Sequence, residues 1–147
     1  MKESALRNAR GQINRLPCVF EKALSARHAV CGLTETSAER RAIVCTSPLA
    51  RAECGRLAGL LREKSAFALK LAAKRQFLPF VHMTRIQCGG LEGMRRVLDA
   101  QAPAPDVHRL VCLARERHGE LDELPFAEII QGVAAWKGRG RSGKVEP

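Results

Sequence analysis

Six cysteines are spread along this 147-residue chain without one C-x-x-C pair, so any site they share must be assembled by the fold. Cys18, Cys31, Cys45 and Cys54 come early. Cys88 follows in Cys88-Gly89-Gly90, and Cys112 lies in an apolar run. From Cys18 to Cys88 the steps are 13, 14, 9 and 34 residues. Zinc ribbons and compact ferredoxin runs place their ligands in close pairs. Both patterns are excluded here.

The cysteines sit in a sequence that favours helices. Apolar residues make up 46% of the chain but aromatics only 4%, with one Trp and no Tyr, so the core must come from Leu, Ala, Val and Ile. Strands draw instead on aromatic and β-branched residues. The expectation is an all-α fold, a single compact domain of about five to seven helices around a cysteine-lined site. That domain spans 1–136, with 1–15 a frayed N-terminal helix and 137–147 a disordered basic tail.

Phe20, Ala23, Leu24 and Cys31 recur at helical spacing, so a helix is expected from Cys18 to about Cys31, stopped by Gly32. After a connector at Leu33–Thr36, Ser37 caps a short helix through Ala38, Ala42 and Ile43 to Cys45. Ser47-Pro48 is a strong start signal, an N-cap oxygen followed by a proline suited to the first helical position. The helix it opens reaches about Leu71, with Cys54, Leu57, Ala58 and Leu61 on one face. Phe80–Gln87 reads as helix or extended loop, Gly89 and Gly90 break the chain, and Leu91–Ala100 is helical. Ala102–Pro105 links to a helix capped by Asp106, with Val107, Leu110, Val111 and Ala114 buried. A last helix, about Pro125–Trp136, carries Phe126, Ile129, Ile130 and Val133.

Thiolates are soft ligands for zinc or for iron in a cluster, and four make a closed site. One continuous helix from Cys18 to Cys31 would separate its ends by roughly 20 Å at 1.5 Å per residue. On that basis the expected ligands are Cys31, Cys45, Cys54 and Cys88, with Cys18 as an alternative if the helix breaks. Cys112 is expected to pack as a small core hydrophobe. His28, one helical turn before Cys31, is placed to join or support a site, whereas His82, His108 and His118 need no special role.

No phosphate-binding glycine loop, dinucleotide fingerprint, H-E-x-x-H or G-x-S-x-G occurs, which argues against an enzyme of those classes. Glu21, Glu53, Glu63 and Glu92 stand among Arg and Lys as surface pairs. The net charge of +10 suits an acidic partner. Arg40, Arg41, Arg51, Arg56, Arg62, Lys64, Lys70, Lys74 and Arg75 are spread through the middle of the chain. They suit either an acidic redox protein or a phosphate backbone. No aromatics interleave with them to stack on bases.

No export signal or spanning segment is read, so the expected location is the cytoplasm, without membrane contact, where thiols stay reduced. The functional expectation is an iron–sulfur protein, of the [4Fe–4S] class, in electron transfer, redox sensing or cluster handling. The alternative is a basic helical nucleic-acid-binding module with zinc or no metal.

Overall fold

The computed structural model describes residues 16–37, 42–68 and 80–137, with side chains of the middle stretch described to residue 66. The expected helix over 1–15 and the tail beyond Lys137 lie outside these residues. The elements in order are β1 (Leu16–Pro17), α1 (Glu21–Ser25), β2 (Thr34–Ser37), β3 (Ala42–Cys45), α2 (Pro48–Ala68), α3 (Phe80–Leu98), α4 (Val107–His118), a 3-10 turn (Leu121–Glu123) and α5 (Phe126–Ala135). The described residues are mostly helical, but the all-α expectation is corrected by a three-stranded sheet in the order β1-β3-β2.

Both pairings in that sheet are antiparallel. Cys45, at the end of the central strand, stands opposite Leu16 on one side and Thr34 on the other. The short helix expected from Ser37 to Cys45 is corrected at its described residues: Ser37 ends β2, and Ala42, Ile43 and Cys45 belong to β3, while residues 38–41 lie outside the described residues. Ile43 and Val44 are β-branched and stiff at χ1, as are Thr34 and Thr36, which suits a pleated ladder better than a single helical turn.

The expected Cys18–Cys31 helix is likewise reduced to the five residues of α1. Arg27 takes a positive φ of 63°, a conformation an L-residue seldom adopts. α1 closes there, with the Arg27 N–H on the Leu24 carbonyl at 3.0 Å and the His28 N–H on the Ala23 carbonyl at 2.9 Å. Buried Phe20 and Ala23 still face the core. Their spacing reports a short amphipathic turn rather than a long helix.

The strongest start signal is realised. The Ala50 N–H donates to Ser47 Oγ at 3.2 Å, and the Arg51 N–H to the Ser47 carbonyl at 2.9 Å. Leu57 and Leu61 of α2 are fully buried. Asp106 caps α4 by accepting from the Arg109 N–H at 3.3 Å, and Gly119 closes it with φ 83°. Its buried face is Val107, Leu110, Val111 and Ala114, and α5 buries Phe126, Ile129, Ile130 and Val133.

α3 runs unbroken through Gly89 and Gly90, correcting the expected break. The glycines serve packing instead. A Cβ on Gly89 would stand 2.6 Å from Val133 Cα and 2.7 Å from the Gly132 carbonyl, so α3 and α5 meet backbone to backbone. Arg85 then reaches across to the open end of α5, donating from Nε to the Val133 carbonyl at 2.8 Å and from Nη2 to Ala134 at 2.7 Å. These are carbonyls of the helix's last turn, where intrahelical donors run out; Val133 also accepts the Trp136 N–H at 3.3 Å. Among the described residues no helix is long and apolar enough to cross a membrane.

Candidate metal centre

Four thiols from separate parts of the chain line one small, largely apolar cavity. They are Cys18 after β1, Cys31 after the Arg27 turn, Cys45 at the end of β3, and Cys54 in the second turn of α2. Val19, Leu33, Thr34, Ala50, Arg51, Val107 and His108 complete the lining. None of the cysteines is in a disulfide.

Hydrogen bonds hold each of the connecting loops. The Cys18 N–H donates to the Ile43 carbonyl at 2.9 Å, and Arg51 Nε donates to the Pro17 carbonyl at 2.7 Å. Thr34 Oγ1 donates to the Cys31 carbonyl at 2.8 Å. Thr46 donates twice to the Leu33 carbonyl, from its N–H at 2.9 Å and its hydroxyl at 2.7 Å. Buried Gln87 of α3 braces the stretch after Cys18: its Oε1 accepts from the Ala23 N–H at 3.2 Å, and its Nε2 donates to the Val19 carbonyl at 3.1 Å.

The sulfurs feel one another. A negative charge on Cys18, Cys31 or Cys45 raises the pKa of Cys54, and the other pairs within the four are coupled in the same sense. Burial is the larger cause, pushing Cys18 up to about 11 and Cys54 up to about 12; Cys31 is raised as well. Backbone N–H groups oppose it, that of Phe20 at the Cys18 sulfur and those of Leu33 and His108 at the Cys31 sulfur. These donors favour the thiolate. The Cys45 thiol donates to the Ser47 carbonyl at 3.3 Å.

Cys88, expected as the fourth ligand, is not on this cavity. It is buried in α3 and lines a different hollow with His28, Glu92, Arg96, Gly132 and Trp136. Burial alone pushes its thiol up to about 11, with no contribution from the other cysteines. The reason for the change of partner is the length of α1. With the helix ending at Ser25, the 20 Å separation no longer applies, and Cys18 and Cys31 return to the same place. His28 goes with Cys88, packing edge-on against Trp136 at 5.4 Å between ring centroids.

One further reading is corrected, and one residue joins the lining. Cys112 is exposed, not core, and its Sγ lies 3.6 Å from His108 Nε2. His108, given no role from sequence, lines the four-thiol cavity. Its signal was local: it is the second residue of a helix whose cap, Asp106, is legible, and such positions have free N–H groups.

Several of the basic residues expected to form a binding face are engaged within the fold. Arg56 pairs with Asp122, Lys64 lies 5.6 Å from the centroid of the Phe126 ring, and Arg51 is spent on Pro17. Arg40, Arg41, Lys70, Lys74 and Arg75 lie outside the described residues. Glu53 and Glu92 form ion pairs, with Arg115 and with Arg95 and Arg96.

The chain matches no family model, and neither the curated proteins nor the solved structures return a match. The site is therefore read from its own chemistry. Among the described residues, no group of three or more His, Cys, Asp or Glu side chains is arranged to hold a metal ion as it stands. The donor set nonetheless fits a soft metal: four free thiols, an apolar surround, and backbone N–H groups aimed at two of the sulfurs.

Proposed function

We propose that Cys18, Cys31, Cys45 and Cys54 hold an iron–sulfur cluster of the [4Fe–4S] class. The protein would serve electron transfer, redox sensing or cluster handling in the cytoplasm. The observation that carries this reading is the convergence of four unpaired thiols from four segments on one cavity. A cluster in that place supplies one-electron chemistry, and N–H groups on its cysteine sulfurs are among the levers that set its potential. The residues do the rest. Thr34, Thr46 and Arg51 fix the loops, while Val107 and Leu33 limit water. A net charge of +10 favours encounter with an acidic redox partner.

One observation favours zinc as a second reading. The cavity as it stands measures about 10 Å³. That is about the room one water needs, closer to a single ion than to a cluster.

Anaerobic purification separates the two. A brown protein absorbing broadly near ~400 nm, with about four irons, is the cluster. A colourless protein with one tightly held zinc is the closed structural site. A preparation that takes up neither metal, even after reconstitution with iron and sulfide, would sink both.

A further inference from the structure

The geometry points to a second, smaller metal site on the rim of the cavity, formed by His108 and Cys112 and suited to a divalent transition-metal ion. The two residues are four apart on α4, hence on one face of the helix one turn from each other. Their donor atoms, Nε2 and Sγ, are in hydrogen-bond contact at 3.6 Å, a contact that an ion held by both would replace. A tetrahedral ion with Zn–N of about 2.0 Å and Zn–S of about 2.3 Å spans roughly 3.5 Å between two such donors. The pair is thus set at the bite of one ion without rearrangement of the helix.

Access supports the same assignment. Cys112 is exposed and His108 half-buried. An incoming ion reaches the thiol from solvent, with water completing its shell. Glu116, four residues further along and also exposed, adds negative charge to the same stripe. His108 also belongs to the wall of the four-thiol cavity, and its backbone N–H is directed at Cys31. Two protein donors make a weak site that gives its ion up readily. It is placed to receive a metal ion from solvent beside the buried thiols. The binding rests on the His108–Cys112 geometry alone; its use as a way station rests on the reading of the four-thiol centre.

The test is site-resolved alkylation of the full-length protein by iodoacetamide, read cysteine by cysteine by peptide mass mapping, with zinc as the probe. At zinc about ten times its dissociation constant, modification of Cys112 is expected to slow about tenfold. His108→Gln, which keeps the backbone N–H to Cys31, should abolish that protection. Unchanged Cys112 labelling in zinc overturns the site, as does protection that survives His108→Gln. The same maps report Cys18, Cys31, Cys45 and Cys54 separately. Protection of Cys112 with none at those four would sink the zinc reading of the buried centre and leave the rim site standing. If Cys112→Ser leaves the rate of zinc uptake by the four thiols unaltered, the way-station role is overturned.

Discussion

The Val107 N–H donates to the Val30 carbonyl at 2.9 Å, so the residue before Cys31 is fastened to the residue before His108. The Val30 N–H returns the contact to Pro105 at 2.9 Å, and a short parallel bridge ties the Arg27 turn to the start of α4. This is what brings a helix N-terminus, with its free N–H groups, to the Cys31 sulfur. Asp106 caps that terminus. Asp106→Ala should cost about 1 kcal/mol, the usual worth of such a cap. The check is a lower urea midpoint with an unchanged slope.

The contact between α3 and α5 makes an opposite pair of glycine predictions. At Gly89 a methyl group meets backbone atoms of Gly132 and Val133, which yield only if the helices part. Gly89→Ala should destabilise by about 1–3 kcal/mol or more, in the range of core overpacking. At Gly55, within α2, nothing lies within 4 Å of the added methyl. Gly55→Ala should stabilise by up to about 1 kcal/mol, the helix-propensity difference. Thermal melts of the two variants should shift in opposite directions.

These same glycines show where local reading stops. Ser47-Pro48, the Asp106 cap and the stripes of α4 and α5 were legible because their signals are local and repeat with the helical period. Gly89 and Gly90 carry the residue type of a break, but the reason for Gly89 lies across the fold, in Gly132 and Val133. The turn at Arg27 has no marker, since arginine is not a residue type that signals a positive φ; the Arg27 N–H to the Leu24 carbonyl at 3.0 Å and the His28 N–H to the Ala23 carbonyl at 2.9 Å close α1 there. Without that turn, Phe20, Ala23 and Leu24 extrapolate to a long helix that separates Cys18 from Cys31. Cys112 was recoverable: the buried stripe runs 107, 110, 111, 114, and position 112 falls off it.

Cys88 sets a pH dependence separate from the four-thiol cavity. Its thiol ionises near 9 in the unfolded chain and, by burial, at about 11 in the fold. The unfolded state therefore loses its proton first. The stability this group contributes is whole below pH about 9 and falls as pH rises towards about 11. Melting temperature should decline over that window. Cys88→Ala should decline less steeply there, and an identical slope in both proteins would contradict the assignment.

Gln87 couples the helical core to the loop that carries Cys18. Gln87→Leu keeps the volume but takes away the acceptor of the Ala23 N–H and the donor to the Val19 carbonyl. Each buried group left unpaired costs about 1–3 kcal/mol. Stability should fall accordingly. If the loop positions a ligand, metal content per folded protein should fall too, as read by elemental analysis of the soluble fraction.

The ranking of the six thiols is the sharpest expected outcome for the centre itself. Cys18→Ala, Cys31→Ala, Cys45→Ala and Cys54→Ala each remove one wall of the same cavity, and each should lower the metal bound by the purified protein. Cys88→Ala and Cys112→Ala should leave it near the wild-type amount, Cys88 because it lies on another hollow and Cys112 because it is outside. Cys18→Ala and Cys88→Ala form the decisive pair, since Cys18 lines the four-thiol cavity and Cys88 another hollow. Metal lost in Cys88→Ala and kept in Cys18→Ala, measured in folded protein by elemental analysis and absorbance, would place the centre elsewhere.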